Sequence, residues 1–116
     1  MATLQCRSVV EVEPGRWAEA TSIAAAQVEF ARTLPGTIGY DIYADPEGNT
    51  LVQLATYADV ASWLAHSRSN PFAADYMKVV RVKALEVYGE STPELDEILA
   101  AYGAAQQFTT VRPGDE

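Results

Sequence analysis

Two segments with a period of two, joined by a short turn, constrain the fold most strongly. Residues 37–44, TIGYDIYA, alternate so that Ile38, Tyr40 and Ile42 share one face. Residues 50–57, TLVQLATY, alternate in the same way. Between them stands DPEGN, where proline is preset for a turn and glycine or asparagine can take a positive φ. The sequence therefore predicts an antiparallel β-hairpin.

The remaining elements follow from apolar periodicity and from the Pro, Gly and Asn residues that interrupt it. The predicted elements, in chain order, are a strand at 4–12, a helix at 15–34, the hairpin, a helix at 59–67, a break at 69–71 with a short turn after it, a strand at 79–88 and a helix from Thr92 to Gly103. The order β-α-β-β-α-β predicts an α+β, ferredoxin-like fold with a four-stranded antiparallel sheet and an extra C-terminal helix. We expect one domain over residues 1–103 and a loose polar tail over 104–116.

The predicted strands are apolar on both faces. In the third strand, Val52 and Leu54 lie opposite Ala55 and Tyr57, and in the fourth strand Val80, Val82 and Ala84 share one side. A sheet that is apolar on both faces is covered on both faces. The helices cover one face only, so we expect a homodimer formed through the other face of the sheet.

Composition and charge exclude several classes of function. The formal charge of −8 disfavours nucleic acid and anionic membranes as partners. No apolar run approaches the roughly 18 residues that span a bilayer, and the start of the chain does not resemble a signal peptide. The single cysteine, Cys6, fits a reduced, cytoplasmic setting. One histidine and one cysteine predict no familiar zinc site, and we expect no metal.

Two polar residues stand out as candidates for chemistry. His66 is the only histidine, and its unperturbed pKa near 6.5 suits proton abstraction at neutral pH. It lies about 110° from the middle of its helix's apolar stripe, so it either borders a pocket or is half-exposed. Gln27 interrupts the apolar stripe of the long helix. A buried amide needs partners, which either the backbone or a cleft would supply.

Residues 34–76 carry a resemblance to a known family. The ordered motif elements are Pro35-Gly36, Gly39-Tyr40 to Tyr43, Tyr57 at the end of a strand, Asp59 as a cap, His66 near a helix end, and Phe72. In this order they resemble the antibiotic biosynthesis monooxygenase superfamily of dimeric α+β barrels. The topology of that family matches residues 4–88.

The resemblance implies oxidation of a phenolic or quinol-type, polyketide-like small molecule by O2, without a cofactor. The substrate would lie between the sheet and the helices, with His66 and Tyr57 as catalytic residues. The expected substrate-binding residues are Gln53, Trp63, Gln27, Phe72, Tyr76 and Arg81. For Trp63 and Arg81, a plain core position and an exposed strand position are the alternatives.

Two other functions are compatible with the same scaffold. The first is a small-molecule binding protein, or a cyclase or isomerase, that performs no oxygenation. The second is the haem-degrading branch of the superfamily, which uses an Asn on the first strand, a Trp after the third and a haem-ligating His. Here no Asn precedes position 49, Tyr57 stands where that Trp would be, and only His66 matches.

Overall fold

The computed structural model describes residues 3–90, 92–101, 105–111 and 113–114. The elements are β1 (Leu4–Val12), α1 (Trp17–Ala31), β2 (Thr37–Asp45), β3 (Thr50–Tyr57), α2 (Val60–Ser69), α3 (Ala73–Val79), β4 (Val80–Tyr88), α4 (Pro93–Ala100) and β5 (Ala105–Phe108). The predicted α+β, ferredoxin-like order is confirmed. Tyr102 and Gly103, which the sequence places at the end of the last helix, lie outside the described residues.

The sheet has the strand order β2-β3-β1-β4-β5. Its first four strands pair antiparallel, as predicted. Strand β5 pairs parallel to β4, so the sheet is mixed and has five strands. Helix α4 provides the crossover that a parallel pair requires. The sequence does not predict this strand, because AQQF at 105–108 lacks the β-branched pattern of the other four.

Local turn and cap chemistry explains where the elements begin and end. In the DPEGN turn, Asn49 takes a φ of 51°, and the Gly48 N–H donates to Asp45 Oδ1 at 3.3 Å. At the start of α2, the Ser62 N–H donates to Asp59 Oδ1 at 2.8 Å, which confirms Asp59 as the N-cap. Asn70, Pro71 and Phe72 then separate α2 from α3.

The core lies between the helices and one face of the sheet. Every second residue of β1 points to that face, and those near either end of the strand are buried in two separate apolar clusters. One cluster contains Leu4, Cys6, Tyr57, Val87 and Leu95, together with five further buried residues. The other contains Val10, Val12, Ala24, Leu51 and Val80, with three more. Ser8 lies between the two clusters on the same face of β1, where a polar residue interrupts the apolar alternation.

On the opposite face of the sheet, none of the described helices covers the apolar side chains. Tyr43 is 56% exposed and Leu54 is 43% exposed, and Tyr88 stacks on Phe108 at its edge. We call this surface, with Val9, Val52 and Ala84, the open face. Ala84 is a correction, because the sequence places it beside Val80 and Val82. The register of β1 and β4 shifts between Val9 and Val10, so Ala84 pairs with Val9 instead.

Within the described ranges, none of the helices has both the length and the apolar character needed to cross a membrane.

Candidate functional site

A cavity of about 270 Å³ lies between the buried face of the sheet and helices α1, α2 and α3. The lining residues are Ser8, Val10, Gln27, Tyr40, Gln53, Tyr57, Trp63, His66, Ser67, Asn70, Ala73, Tyr76, Met77, Val82 and Leu85. None of these is an aspartate, glutamate, lysine or arginine. The cavity is therefore a largely apolar space with a few neutral polar groups, which is the usual character of a site for a small organic ligand.

At one wall of the cavity, His66 and Tyr57 form a buried pair. Tyr57 Oη lies 3.3 Å from His66 Nδ1. Tyr57 is the last residue of β3, and the Asp59 cap starts α2 immediately afterwards, which brings His66 back over the strand end. The His66 ring also lies against Phe30 and Tyr40, with ring centroids 5.9 Å and 5.1 Å apart. His66 is only 5% exposed, so the half-exposed surface position is wrong.

Burial decides the protonation state of this pair. It lowers the pKa of His66 below the ordinary value of 6.5, so the imidazole is neutral at pH 7. Burial, assisted by Tyr40 and Cys6, raises the pKa of Tyr57, which keeps its hydroxyl protonated. Two neutral partners allow two arrangements. Either the Tyr57 hydroxyl donates to Nδ1 and the ring proton is on Nε2, or an Nδ1–H donates to the Tyr57 oxygen. Within the described part of the chain, Nε2 is buried and has no hydrogen-bond partner.

A second polar contact crosses from β2 to β3. The Tyr40 hydroxyl donates to Gln53 Oε1 at 3.1 Å, and both residues line the cavity. Tyr40 is buried, and burial together with Tyr76 and Cys6 raises its pKa, so it is also a neutral donor. The sequence marks Tyr40 as one of several tyrosines able to donate to a substrate, but it is not among the expected catalytic or substrate-binding residues. The alternation of β2 was the sequence signal for its position, because it puts Tyr40 on the same face as Ile42.

A third polar contact joins α1 to the break between α2 and α3. The Asn70 Nδ2 donates to Gln27 Oε1 at 2.9 Å, and Asn70 Oδ1 accepts from the Phe72 N–H at 3.0 Å. Gln27 is 4% exposed, as its place in an apolar stripe suggests. Asn70 is missed from the sequence, where SNP signals only a helix break. The two amides are 43 positions apart, so no local pattern relates them.

The other sequence-selected residues divide between the cavity and the surface. Trp63 and Tyr76 are buried and line the cavity, and burial raises the pKa of Tyr76 to about 12. Phe72 is half-buried outside the lining and contributes only its backbone N–H to Asn70. Arg81 is exposed and forms an ion pair with Glu11, which it faces in the β1–β4 ladder. The structure thus brings Arg81 to a different surface from the cavity.

Two further features bear on where ligands and metals can bind. A larger depression, of about 580 Å³, lies between the start of α2 and the start of α4. Its charged side chains include the exposed Asp59 and Glu94, and no buried polar atom without a partner lies on it in the described residues. Across the same residues, no group of three His, Cys, Asp or Glu side chains could hold a metal ion.

A ferredoxin-like sheet with helices on one face, and a cavity without charged side chains between them, defines the class of protein as a small α+β domain. The particular family follows from comparison of the sequence with family models. The model of the antibiotic biosynthesis monooxygenase family matches residues 8–75, which is more than half of the chain. The chain belongs to this family, and the resemblance seen in residues 34–76 is confirmed. No curated protein matches the chain.

Solved structures show the same fold at low identity. MupZ from Pseudomonas fluorescens is 20% identical, with a TM-score of 0.76 over 98% of this chain and 94% of MupZ. SnoaB from Streptomyces nogalater, described as a cofactor-independent oxygenase, is 16% identical, with a TM-score of 0.67 over 79% of this chain and 96% of SnoaB. A conserved protein from Methanosarcina mazei is 20% identical, with a TM-score of 0.67 over 76% of this chain and 92% of its own.

Proposed function

We propose that this chain is a monooxygenase that uses O2, without a cofactor, to oxidise a neutral phenolic or quinol-type aromatic molecule bound in the cavity. Membership of the family supports a monooxygenase-type role. The likeness to SnoaB, described as a cofactor-independent oxygenase, points the same way. The observation that carries the proposal is the buried, neutral pair of His66 and Tyr57 on the wall of an uncharged cavity.

The pair supplies a route for the substrate proton. A substrate hydroxyl that donates to Tyr57 Oη transfers its proton there while Tyr57 passes its own proton to His66 Nδ1. The result is a substrate anion beside an imidazolium, and the two opposite charges stabilise each other in the poorly solvated cavity. The Nε2–H of His66 remains a donor for an oxygen of the substrate. His66 is thus the general base, and Tyr57 relays the proton.

The anion then reacts with O2 directly. One electron passes from the substrate anion to O2, and the two radicals combine to form a carbon-bound peroxide. Loss of water from the peroxide leaves a carbonyl group and returns the proton held by His66. Over the whole cycle, a CH2 group or its enol form and one O2 become a C=O group and one H2O, so that the substrate is oxidised and O2 is reduced.

The remaining polar groups of the cavity fit the binding of such a substrate. Gln53, oriented by Tyr40, and the hydroxyl of Tyr76 are neutral groups that can bond substrate oxygens without holding a competing charge. Trp63 offers an aromatic face for a planar ring. Because the site contains no fixed cation, the substrate anion forms only when the proton moves within the cavity. This arrangement favours neutral molecules over ionised ones.

Oxygen uptake with anthrone as the substrate tests the proposal. Wild-type protein should consume O2 above the buffer rate. His66→Gln retains a hydrogen-bonding side chain and removes the base, so its rate should fall about 100-fold or more. Glu29→Gln, which changes an exposed residue of α1, should keep the wild-type rate. If anthrone quenches Trp63 fluorescence and the wild type consumes no O2, the chain is a binding protein and the proposal is wrong.

We also propose that two copies of the chain associate through the open face. One row of paired apolar residues, Tyr43, Val52, Val9 and Ala84, crosses β2, β3, β1 and β4 on the open face. The exposed Leu54 and Tyr88 lie on the same face, which no described helix covers. A contiguous apolar patch of this kind typically marks an interface. A second copy fits as the occupant because the same face, turned by a two-fold rotation, presents a matching apolar surface.

Sedimentation of a charged variant tests the dimer. Wild-type protein at micromolar concentration should sediment as twice 12.6 kDa. Val52→Glu places a charge between Val9 and Tyr43, its cross-strand partners on the open face, and should yield monomers, because a buried unpaired carboxylate is costly. Ala25→Glu adds the same charge to the exposed side of α1 and should remain dimeric. Monomeric wild-type protein would refute the interface.

A further inference from the structure

The side-chain amide of Asn70 has only one possible orientation. Its Oδ1 lies 3.0 Å from the backbone nitrogen of Phe72, which can only donate. The atom facing Phe72 must therefore be the oxygen, and the NH2 group must face the other way. Asn70 is held in place by the chain itself, because its own N–H donates to His66 O at 3.0 Å where α2 ends.

The orientation of Asn70 determines that of Gln27. The Asn70 NH2 group lies 2.9 Å from Gln27 and can only donate, so the Gln27 atom it meets is the oxygen. The free end of Gln27 is consequently its NH2 group. That nitrogen is buried and has no partner within the described residues, and Gln27 lines the cavity. The Phe72 backbone N–H thus determines, through Asn70, that Gln27 on α1 has its NH2 group and not its oxygen at the free end.

We infer that Gln27 is a specificity-determining residue that donates to an acceptor oxygen of the ligand, a carbonyl or an ether, and that Asn70 is the positioning residue that sets this polarity. In the tautomer that the proposed proton route requires, the Nε2–H of His66 is the other buried donor without a partner among the described residues of the cavity wall. The site therefore selects a neutral ligand with acceptor oxygens at both positions. The inference rests on the cavity as the ligand site proposed above and is independent of the reaction with O2.

The inference is tested by binding of three bicyclic probes that undergo no turnover: 1-tetralone, an acceptor only; 1-tetralol, which can also donate; and tetralin, which can do neither. Binding is followed through the indole N–H resonance of Trp63, distinguished from that of Trp17 by a Trp17→Phe variant. The wild type should bind tetralone about five- to tenfold more tightly than tetralin, as expected for one hydrogen bond to a buried donor. The side-chain NH2 resonance of Gln27 should shift with tetralone and not with tetralin.

Two variants should change this preference in different ways. Burial raises the pKa of a carboxyl at this site, so Gln27→Glu is measured at a pH that ionises it. One carboxylate oxygen then still accepts from Asn70 and the other presents an acceptor to the ligand, so the preference for tetralone should disappear. In Asn70→Asp, at a pH that ionises the new carboxyl, the group facing Gln27 can only accept, so the Gln27 amide turns over and presents its oxygen. This variant should prefer tetralol to tetralone. Gln106→Glu, the same change at an exposed site on β5, should behave as the wild type.

The outcomes separate this inference from the proposed function. Equal binding of tetralone and tetralin by the wild type, no binding of tetralone, or an undiminished preference in Gln27→Glu would each overturn the inference. Should Asn70→Asp fail to fold, Gln27→Glu and the Gln27 resonance still decide the matter. A clear preference for tetralone, with no O2 uptake from anthrone, would sustain the inference and refute the proposed function alone.

Discussion

The neutral state of His66 predicts a specific dependence of stability on pH. Histidine is the side chain whose ordinary pKa lies between about 5.5 and about 7.5, and His66 is the only histidine of the chain. Burial lowers its pKa in the folded protein below 6.5. As the pH falls through 6.5, the unfolded chain takes up a proton before the folded chain does. The free energy of unfolding should therefore decrease below pH 6.5 and level off once the folded protein is also protonated.

The magnitude follows from the difference between the two pKa values. Each unit of difference corresponds to about 1.4 kcal/mol of stability that is present above pH 6.5 and lost below it. Two carboxyl groups also have lowered pKa values, Asp59 through hydrogen bonds from Ser62 and Glu86 through one from Tyr88. Their contributions are lost only as the pH falls below their ordinary values of 3.8 and 4.5, so the window of His66 is separate.

Urea unfolding at one fixed protein concentration measures this effect, since a dimer makes stability depend on concentration. The wild type should gain stability from about pH 5.5 to about pH 7, and His66→Gln should show no such slope. The single histidine resonance in a proton NMR titration should give a pKa below 6.5. A flat or falling stability profile for the wild type, a pKa at or above 6.5, or the same slope in His66→Gln would refute the reasoning.

Two further predictions concern local contacts. Tyr57→Phe leaves the buried Nδ1 of His66 without its hydrogen-bond partner and should reduce the free energy of unfolding by about 1–3 kcal/mol in urea titrations. An unchanged midpoint and slope would show that the pair contributes nothing. Gly36→Ala places a Cβ 2.1 Å from Ser62 Oγ and 2.5 Å from Ser62 Cβ, so it should reduce the free energy of unfolding by about 1–3 kcal/mol. In Gly39→Ala the new Cβ meets nothing within 4 Å, so the loss of stability should be clearly smaller. Equal thermal midpoints for the two variants would contradict the steric argument.

The order and type of the main elements could be predicted from the sequence because local chemistry determines them. The alternation of β1 and β3 gave bounds that match the structure at 4–12 and 50–57. The turn at DPEGN depends on the backbone freedom of Asn49, and the start of α2 depends on the carboxylate of Asp59. Each of these signals lies within a few residues of the feature it produces, so the sequence alone was sufficient.

The tertiary structure decided the features that depend on residues distant in the chain. His66 borders the apolar stripe of its own helix, and it is buried because Phe30 and Tyr40 close over its ring. Gln27 and Asn70 meet across 43 positions, and a register shift turns Ala84 to the open face. Periodicity along one element shows which face a residue occupies but not what packs against that face. The polar contacts of the cavity arise only when α1, α2 and the sheet come together.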